Sequence, residues 1–343
     1  MKEIERTNEF VEHLVDAEEM IAESTIGLND EYPIGEAKKR VIGVEKNCKF
    51  IKIDPVEFAK NPYLQNIQID NWRIGNIYLH NKEYYEPYKT YVYGARKRDP
   101  KTLTAQYEFC YFPTTVHFPA LGTIIPYTKW MGVEVSEINT FQSFINEASG
   151  KVLLMGCGLG YVAYMLSLKE NVDEVTIVEL NPDIKKMFET YLKPQMNNKI
   201  NIFLGDAIQF LENEDLSAYQ YCSVDIWHDL IEMFPIYLKC LLLEQRHPQT
   251  KFHYWLEDDL HKAFESSWIL LLKKFINGNH SEENPEFFTD VLKMQNIETI
   301  EDIRKFIAAP KRAIIQEWAF QHPKEVHNFE GLYKTLSKIQ RKL

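Results

Sequence analysis

Glycines and carboxylates fall at the ends of successive apolar runs between Lys151 and Asp229. KVLLM leads into Gly156, Cys157, Gly158, Leu159, Gly160 and Tyr161; EVTIVEL ends on Glu179 and Leu180; KINIFLG gives way to Asp206 and Ala207; YQYCSVDI carries Asp225, then Trp227, His228 and Asp229. Glycines after a strand permit a tight turn and let a ligand lie on main chain without Cβ interference, and a following helix offers unpaired N–H groups. Glu179 stands 23 positions on from Gly156, where a carboxylate can accept both hydroxyls of an adenosine ribose. Asp206 can accept from an adenine amino group while the Ala207 N–H donates to a ring nitrogen. Asp225 is the leading candidate to position or deprotonate a nucleophile, with His228 second, and Tyr161 and Trp227 are expected to wall the site. Tyr161 also occupies the place where a nicotinamide fingerprint has its third glycine, which weighs against NAD.

Those residues need a scaffold that brings strand ends to one edge. From Lys151 to Glu257 strand-like and helix-like runs alternate with short connections, the pattern of a doubly wound, Rossmann-like α/β unit with a mostly parallel sheet. Asn181 before Pro182 is a helix entry by cap and first-turn chemistry. Before this unit, residues 1–134 read as an acidic amphipathic helix (Asn8 to Glu23) packed on its own protein, then short strands and hairpins rich in Tyr, Phe and Trp. Trp72, Tyr78, Tyr84, Tyr85, Tyr88, Tyr91, Tyr93, Phe112, Phe118, Tyr127 and Trp130 are read as packing, and the basic run Ala95 to Lys101 as a solvated loop. A helix from Val135 to Ser149, with Ser136 as its cap, delivers the chain to the central strand. The expected domains are 1–134, 135–257 and a helical extension 258–343.

The totals limit the partners. A net charge of −11 disfavours nucleic acid and anionic membrane as partners and better suits a small-molecule or cationic substrate. The first residues lack the order of a signal peptide and no apolar run is long enough to span a bilayer, so a soluble, cytoplasmic chain is expected, a homodimer being compatible with it. Five cysteines without a C-x-x-C pair suggest reduced thiols. No metal is expected, because His228, Asp229, His253 and His261 show no ligand spacing, and no G-x-S-x-G elbow appears.

GCGLG, the acidic end of VTIVEL, GDAIQFL and the aspartate of VDIWHD resemble the ordered motifs of class I S-adenosylmethionine-dependent methyltransferases over about Lys151 to Glu257. The resemblance implies S-adenosyl-L-methionine as cofactor, with Gly156, Gly158 and Gly160 around its methionine part, Glu179 on the ribose, Asp206 and Ala207 at the adenine, and Asp225 near the transferable group. Within that superfamily a β-rich front and GDAIQFL are similar to the spermidine-synthase branch. Leu159 stands where that branch has an aspartate, and Asp225 and Asp229 are four apart where its acidic pair is three apart. Three functions follow: a methyltransferase acting on a small acceptor, an aminopropyltransferase, or a noncatalytic nucleotide-binding protein that meets partners through its C-terminal helices.

Overall fold

The computed structural model describes residues 2–25, 48–85, 90–98, 101, 103, 105–197, 199–276 and 286–326. Twelve strands occur among them: β1 (Cys48–Lys52), β2 (Trp72–Ile74), β3 (Ile77–Tyr85), β4 (Thr90–Arg98), β5 (Ala105–Tyr111), β6 (Val116–Ile124), β7 (Tyr127–Gly132), β8 (Gly150–Met155), β9 (Val172–Glu179), β10 (Ile200–Leu204), β11 (Tyr221–Val224) and β12 (Lys251–Tyr254). The last five form one parallel sheet in the order β10-β9-β8-β11-β12. Helices Tyr161–Ser167, Pro182–Met187, Ala207–Asn213 and Leu230–Glu244 connect these strands, so the expected doubly wound α/β fold is present.

Alternation along β8 divides the interior. Val152 and Leu154 face a core shared with the helix Val135–Glu147 and the N-terminal strands; Leu153 and Met155 face one shared with Leu230–Glu244 and the C-terminal helices. Both faces are covered, as an all-parallel sheet requires. The N-terminal helix, Lys2–Thr25, buries Val11, Leu14 and Val15 in the second core, and Ser266 Oγ donates to Glu18 Oε2 at 3.3 Å. It packs on its own protein, as its acidic outer face predicts.

The front half forms two small sheets, β2-β3-β6-β7 and β1-β5-β4. β1 runs parallel to β5, so this region is more than a string of hairpins. The basic run is a strand through Arg98, not a loop, because β4 keeps its antiparallel pairing with β5 from Ala95 to Arg98; residues 99 and 100 lie outside the described set. Two short helices, Pro55–Ala59 and Pro62–Asn66, are additions to the sequence reading. Asp54 and Asn61 cap them ahead of a proline, the same signal as Asn181-Pro182. Glu134, not Ser136, occupies the cap position of the helix Val135–Glu147.

After β12 the described chain is helical: Glu257–Ile276, Glu286–Met294, Ile300–Ala308, Lys311–Gln321 and Pro323–Val326. The basic tail beyond residue 326 lies outside the described residues. Arg312 ties this extension to the sheet. Its guanidinium donates to both oxygens of Glu257 (2.7 and 2.5 Å) and lies over the Tyr254 ring at 5.1 Å. Tyr237 donates to the same carboxylate at 2.6 Å. Glu257 begins the helix whose first two turns carry Asp258, Asp259 and Lys262 to the candidate site.

Arg312→Ala strands a largely buried carboxylate, so a loss of about 3–5 kcal/mol in urea unfolding is expected. Arg312→Lys should recover only part, since it keeps charge but not the two-pronged geometry. A loss below about 1 kcal/mol for the alanine variant would contradict a buried ion pair.

Candidate functional site at the carboxyl edge of the sheet

Register decides which residues meet. Val178, Met155, Val224 and Tyr254 lie side by side across β9, β8, β11 and β12, so the next residues, Glu179, Gly156, Asp225 and Trp255, form a row at the sheet's carboxyl edge. Between β8 and β11 the winding reverses, and open parallel sheets bind ligands beside such a reversal. Here the two loops touch: a Cβ on Gly156 would stand 2.0 Å from the Asp225 carbonyl oxygen.

A cavity of about 1130 Å³ opens on this row. The structure brings Gly156, Cys157, Gly158, Glu179, Leu180, Asp206, Ala207, Asp225, Trp227 and His228 to its wall. Gly160 is not among the lining residues; its left-handed backbone begins the helix Tyr161–Ser167. Tyr161 is not on this wall either: the residue is 2% exposed, its ring packs edge-on to Tyr63 at 5.5 Å, and its hydroxyl accepts from Asn61 at 3.2 Å. It therefore props the turn from below, as does Tyr63, which donates to the Leu159 carbonyl at 2.6 Å. Gly158 is covered by protein, since a Cβ there would meet Met131 Sδ at 2.5 Å. The turn's glycines thus answer to neighbouring side chains and loops, and the fit of a ligand must be judged on the polar atoms around it.

Glu179 holds two loops together, accepting from the Cys157 N–H at 2.9 Å on one oxygen and the Asn181 N–H at 2.7 Å on the other. Burial raises its pKa, and those N–H groups pull the other way. Each oxygen keeps a further lone pair for a hydroxyl. Asp206 caps the helix Ala207–Asn213 through Oδ1, which accepts from Ile208 and Gln209 at 2.8 and 3.1 Å. No hydrogen bond to its Oδ2 is present among the described residues. Burial, then the charge of Glu179, pushes Asp225 up to about 7. Burial also raises the Cys157 thiol well above its ordinary value, which keeps it neutral and a poor nucleophile.

His228 is at the exposed rim, with Nδ1 2.7 Å from Glu232 Oε2 and its ring 5.3 Å from that of Trp130. Asp229 caps the helix Leu230–Glu244, accepting from Ile231 and Glu232 at 2.8 and 2.9 Å, and is not on the cavity wall. His253 is half-buried beside Ser223, 3.1 Å from its hydroxyl, and desolvation lowers it to about 4. His261 is paired with Glu257 and Tyr237.

Several wall residues escaped sequence reasoning: Glu137 from the helix Val135–Glu147, Trp130 and Met131 from β7, Trp255 after β12, and Asp258 and Asp259. Trp130, read as packing, does pack against the core and also lines the cavity. Glu137 did leave a signal, because it sits four residues before Phe141 on the helix's apolar stripe. A carboxylate on such a stripe calls for a reason.

No family model matches the sequence, and no curated protein does. Among solved structures the chain is similar to a spermidine synthase from Thermotoga maritima, at 12% identity and TM-score 0.32, over 46% of this chain and 59% of that one. It is also similar to precorrin 8w decarboxylase from Methanobacterium thermoautotrophicum, at 19% and 0.29 over 40% and 72%, and to M. jannaschii TYW2 in complex with AdoMet, at 15% and 0.27 over 39% and 58%. The chain thus spans less than two thirds of the first and third. Overlaps of this size carry no chemistry to this chain, and its Rossmann-like fold rests on the strand order described above.

Between roughly pH 4 and 7 the folded chain keeps a proton on Asp225 that the unfolded chain has released, so this group makes stability fall as pH rises through that window. Asp225→Asn should remove the loss. Unfolding curves are expected to show the variant about 1–3 kcal/mol more stable than the parent at pH 8 and close to it at pH 4. A variant less stable than the parent at pH 8 would contradict a strained Asp225.

Proposed function

We propose that the chain is an S-adenosylmethionine-dependent transferase that methylates a small, cationic acceptor. One observation carries the reading: Glu179, Gly156 and Asp225 stand in register on the sheet's carboxyl edge, with Asp206 at the end of the neighbouring strand, around one cavity. That arrangement supports reading Glu179 as the ribose acceptor, Gly156 as the main-chain turn, Asp206 as the carboxylate that meets the base and Asp225 as the proton acceptor, in the order an adenosyl ligand needs. When bound, the cofactor supplies an electrophilic methyl group on a sulfonium.

The chain's own groups do the remaining work. Glu179 takes the ribose hydroxyls while its bonds to Cys157 and Asn181 keep it oriented. Asp206 offers Oδ2 to the adenine amino group, with Leu180 and Ile208 as apolar flanks on the cavity wall. Asp225, poised near neutrality, orients the acceptor and takes its proton. Trp130, Trp227 and Trp255 exclude water and present aromatic faces to cationic ligands. Because Asp229 is spent on a helix cap, it forms no acidic gate with Asp225, and this favours methyl over aminopropyl transfer.

Thermal shift with S-adenosylmethionine, its decarboxylated form, methylthioadenosine and NAD tests the reading, since a ligand bound only by the folded chain raises its melting temperature. The adenosyl sulfur compounds are expected to stabilise the protein, and Glu179→Gln to weaken them on the order of ten-fold. Stabilisation by NAD alone would overturn the assignment. Asp225→Asn should retain cofactor binding and lose turnover, whereas a noncatalytic binding protein has no turnover to lose.

A further inference from the structure

Glu137 is only 6% exposed, yet it lines the cavity, and its carboxylate makes no hydrogen bond or ion pair among the described residues. The Asp225 carboxylate, on the same wall, likewise accepts no hydrogen bond there. Isolated buried carboxylates are costly, and the cations nearby are engaged elsewhere. Lys129 pairs with Glu134 at 3.7 Å, and Lys262 with Asp259 at 3.1 Å.

The other ionisable groups deepen the imbalance. Glu179 on β9 and Glu134 before the helix add negative charge beside the pair, and Asp206, Glu232, Asp258 and Asp259 add more along the wall. His228 is held by Glu232, and the Cys157 thiol stays neutral. Burial, then the charge of Asp225, raises Glu137 well above the usual carboxylate range.

We propose that Glu137 and Asp225 form one seat for an organic cation, holding a shared proton in the ligand-free protein and releasing it when the cation enters. The proposal rests on the cofactor reading in one respect: the cation is either the sulfonium of S-adenosylmethionine or an ammonium group of the acceptor. As a positive charge arrives the pair goes from one negative charge to two, and the proton leaves to solvent. If the sulfonium is the occupant, the acceptor's lone pair forms the new bond to the methyl carbon as the carbon–sulfur bond breaks with its electron pair left on sulfur, and the acceptor gives up its proton. The by-product is then neutral, the pair takes a proton back, and its hold on the spent cofactor weakens. Glu137 would thus distinguish fresh cofactor from used.

Calorimetry at pH 7 in phosphate and in MOPS counts protons exchanged on binding, because the two buffers differ in ionisation heat. The probes are S-adenosylmethionine, S-adenosylhomocysteine, and butylamine added to the S-adenosylhomocysteine-loaded and the free protein. Up to about one proton should be released with S-adenosylmethionine and none with S-adenosylhomocysteine if the seat reads the sulfonium; release with butylamine instead assigns it to an ammonium. Glu137→Gln and Asp225→Asn, each confirmed folded by its unfolding curve, should both lose the release and keep S-adenosylhomocysteine binding. Equal proton exchange with both nucleosides and none with butylamine overturns the seat while sparing the cofactor reading. Release with butylamine but no nucleoside binding keeps the seat and overturns the cofactor. Binding by none of the probes overturns both, and unchanged release in Glu137→Gln removes Glu137 from the seat.

Discussion

Three carboxylates, Glu137, Glu179 and Asp225, share one poorly hydrated corner of the molecule. Like charges in such a place cannot all ionise cheaply. Glu179 solves the problem with main-chain N–H groups from Cys157 and Asn181, and in doing so fixes the glycine turn against the second strand end. The other two have no such donors. Burial without a donor raises both their pKa values, and that is the ground for proposing a ligand between them.

The flanking regions exist, in this view, to hold that corner. From the front, β7 lays Met131 over the glycine turn and Tyr63 grips it from beneath. From the back, Arg312 anchors Glu257 and with it the helix that presents Asp258 and Asp259. The helix Val135–Glu147 links the two halves and brings Glu137 to the wall. Where these elements bury Glu137 and Glu179 the effective dielectric is lowered, which strengthens the charge interactions there.

Most of the central sheet was legible from sequence because its signals are local: apolar runs of strand length, caps such as Asn181-Pro182, and carboxylates at strand ends. Asp54-Pro55 and Asn61-Pro62 carried the same cap signal and were passed over among the aromatic strands. The pairing of β1 with β5 and the clasp of Arg312 on Glu257 join residues some 55 or more positions apart, and no local pattern announces such contacts. Tyr161 shows the opposite case. Its place in the turn suggested a ligand wall, whereas the fold turns the ring inward against Tyr63. Glu137 was readable in principle, as a charge on an apolar stripe, but only helical geometry and burial reveal that it meets Asp225's surroundings.

The central claim is that an adenosyl ligand lies along the row from the glycine turn to Asp206. Amide hydrogen exchange measured with and without S-adenosylmethionine addresses it most directly. Slowed exchange is predicted at Cys157–Gly160, at Leu180–Asn181 and at Ala207–Ile208, with little change in β4 and β5. Binding without protection at these three loops, or protection confined to the N-terminal sheets, would contradict it.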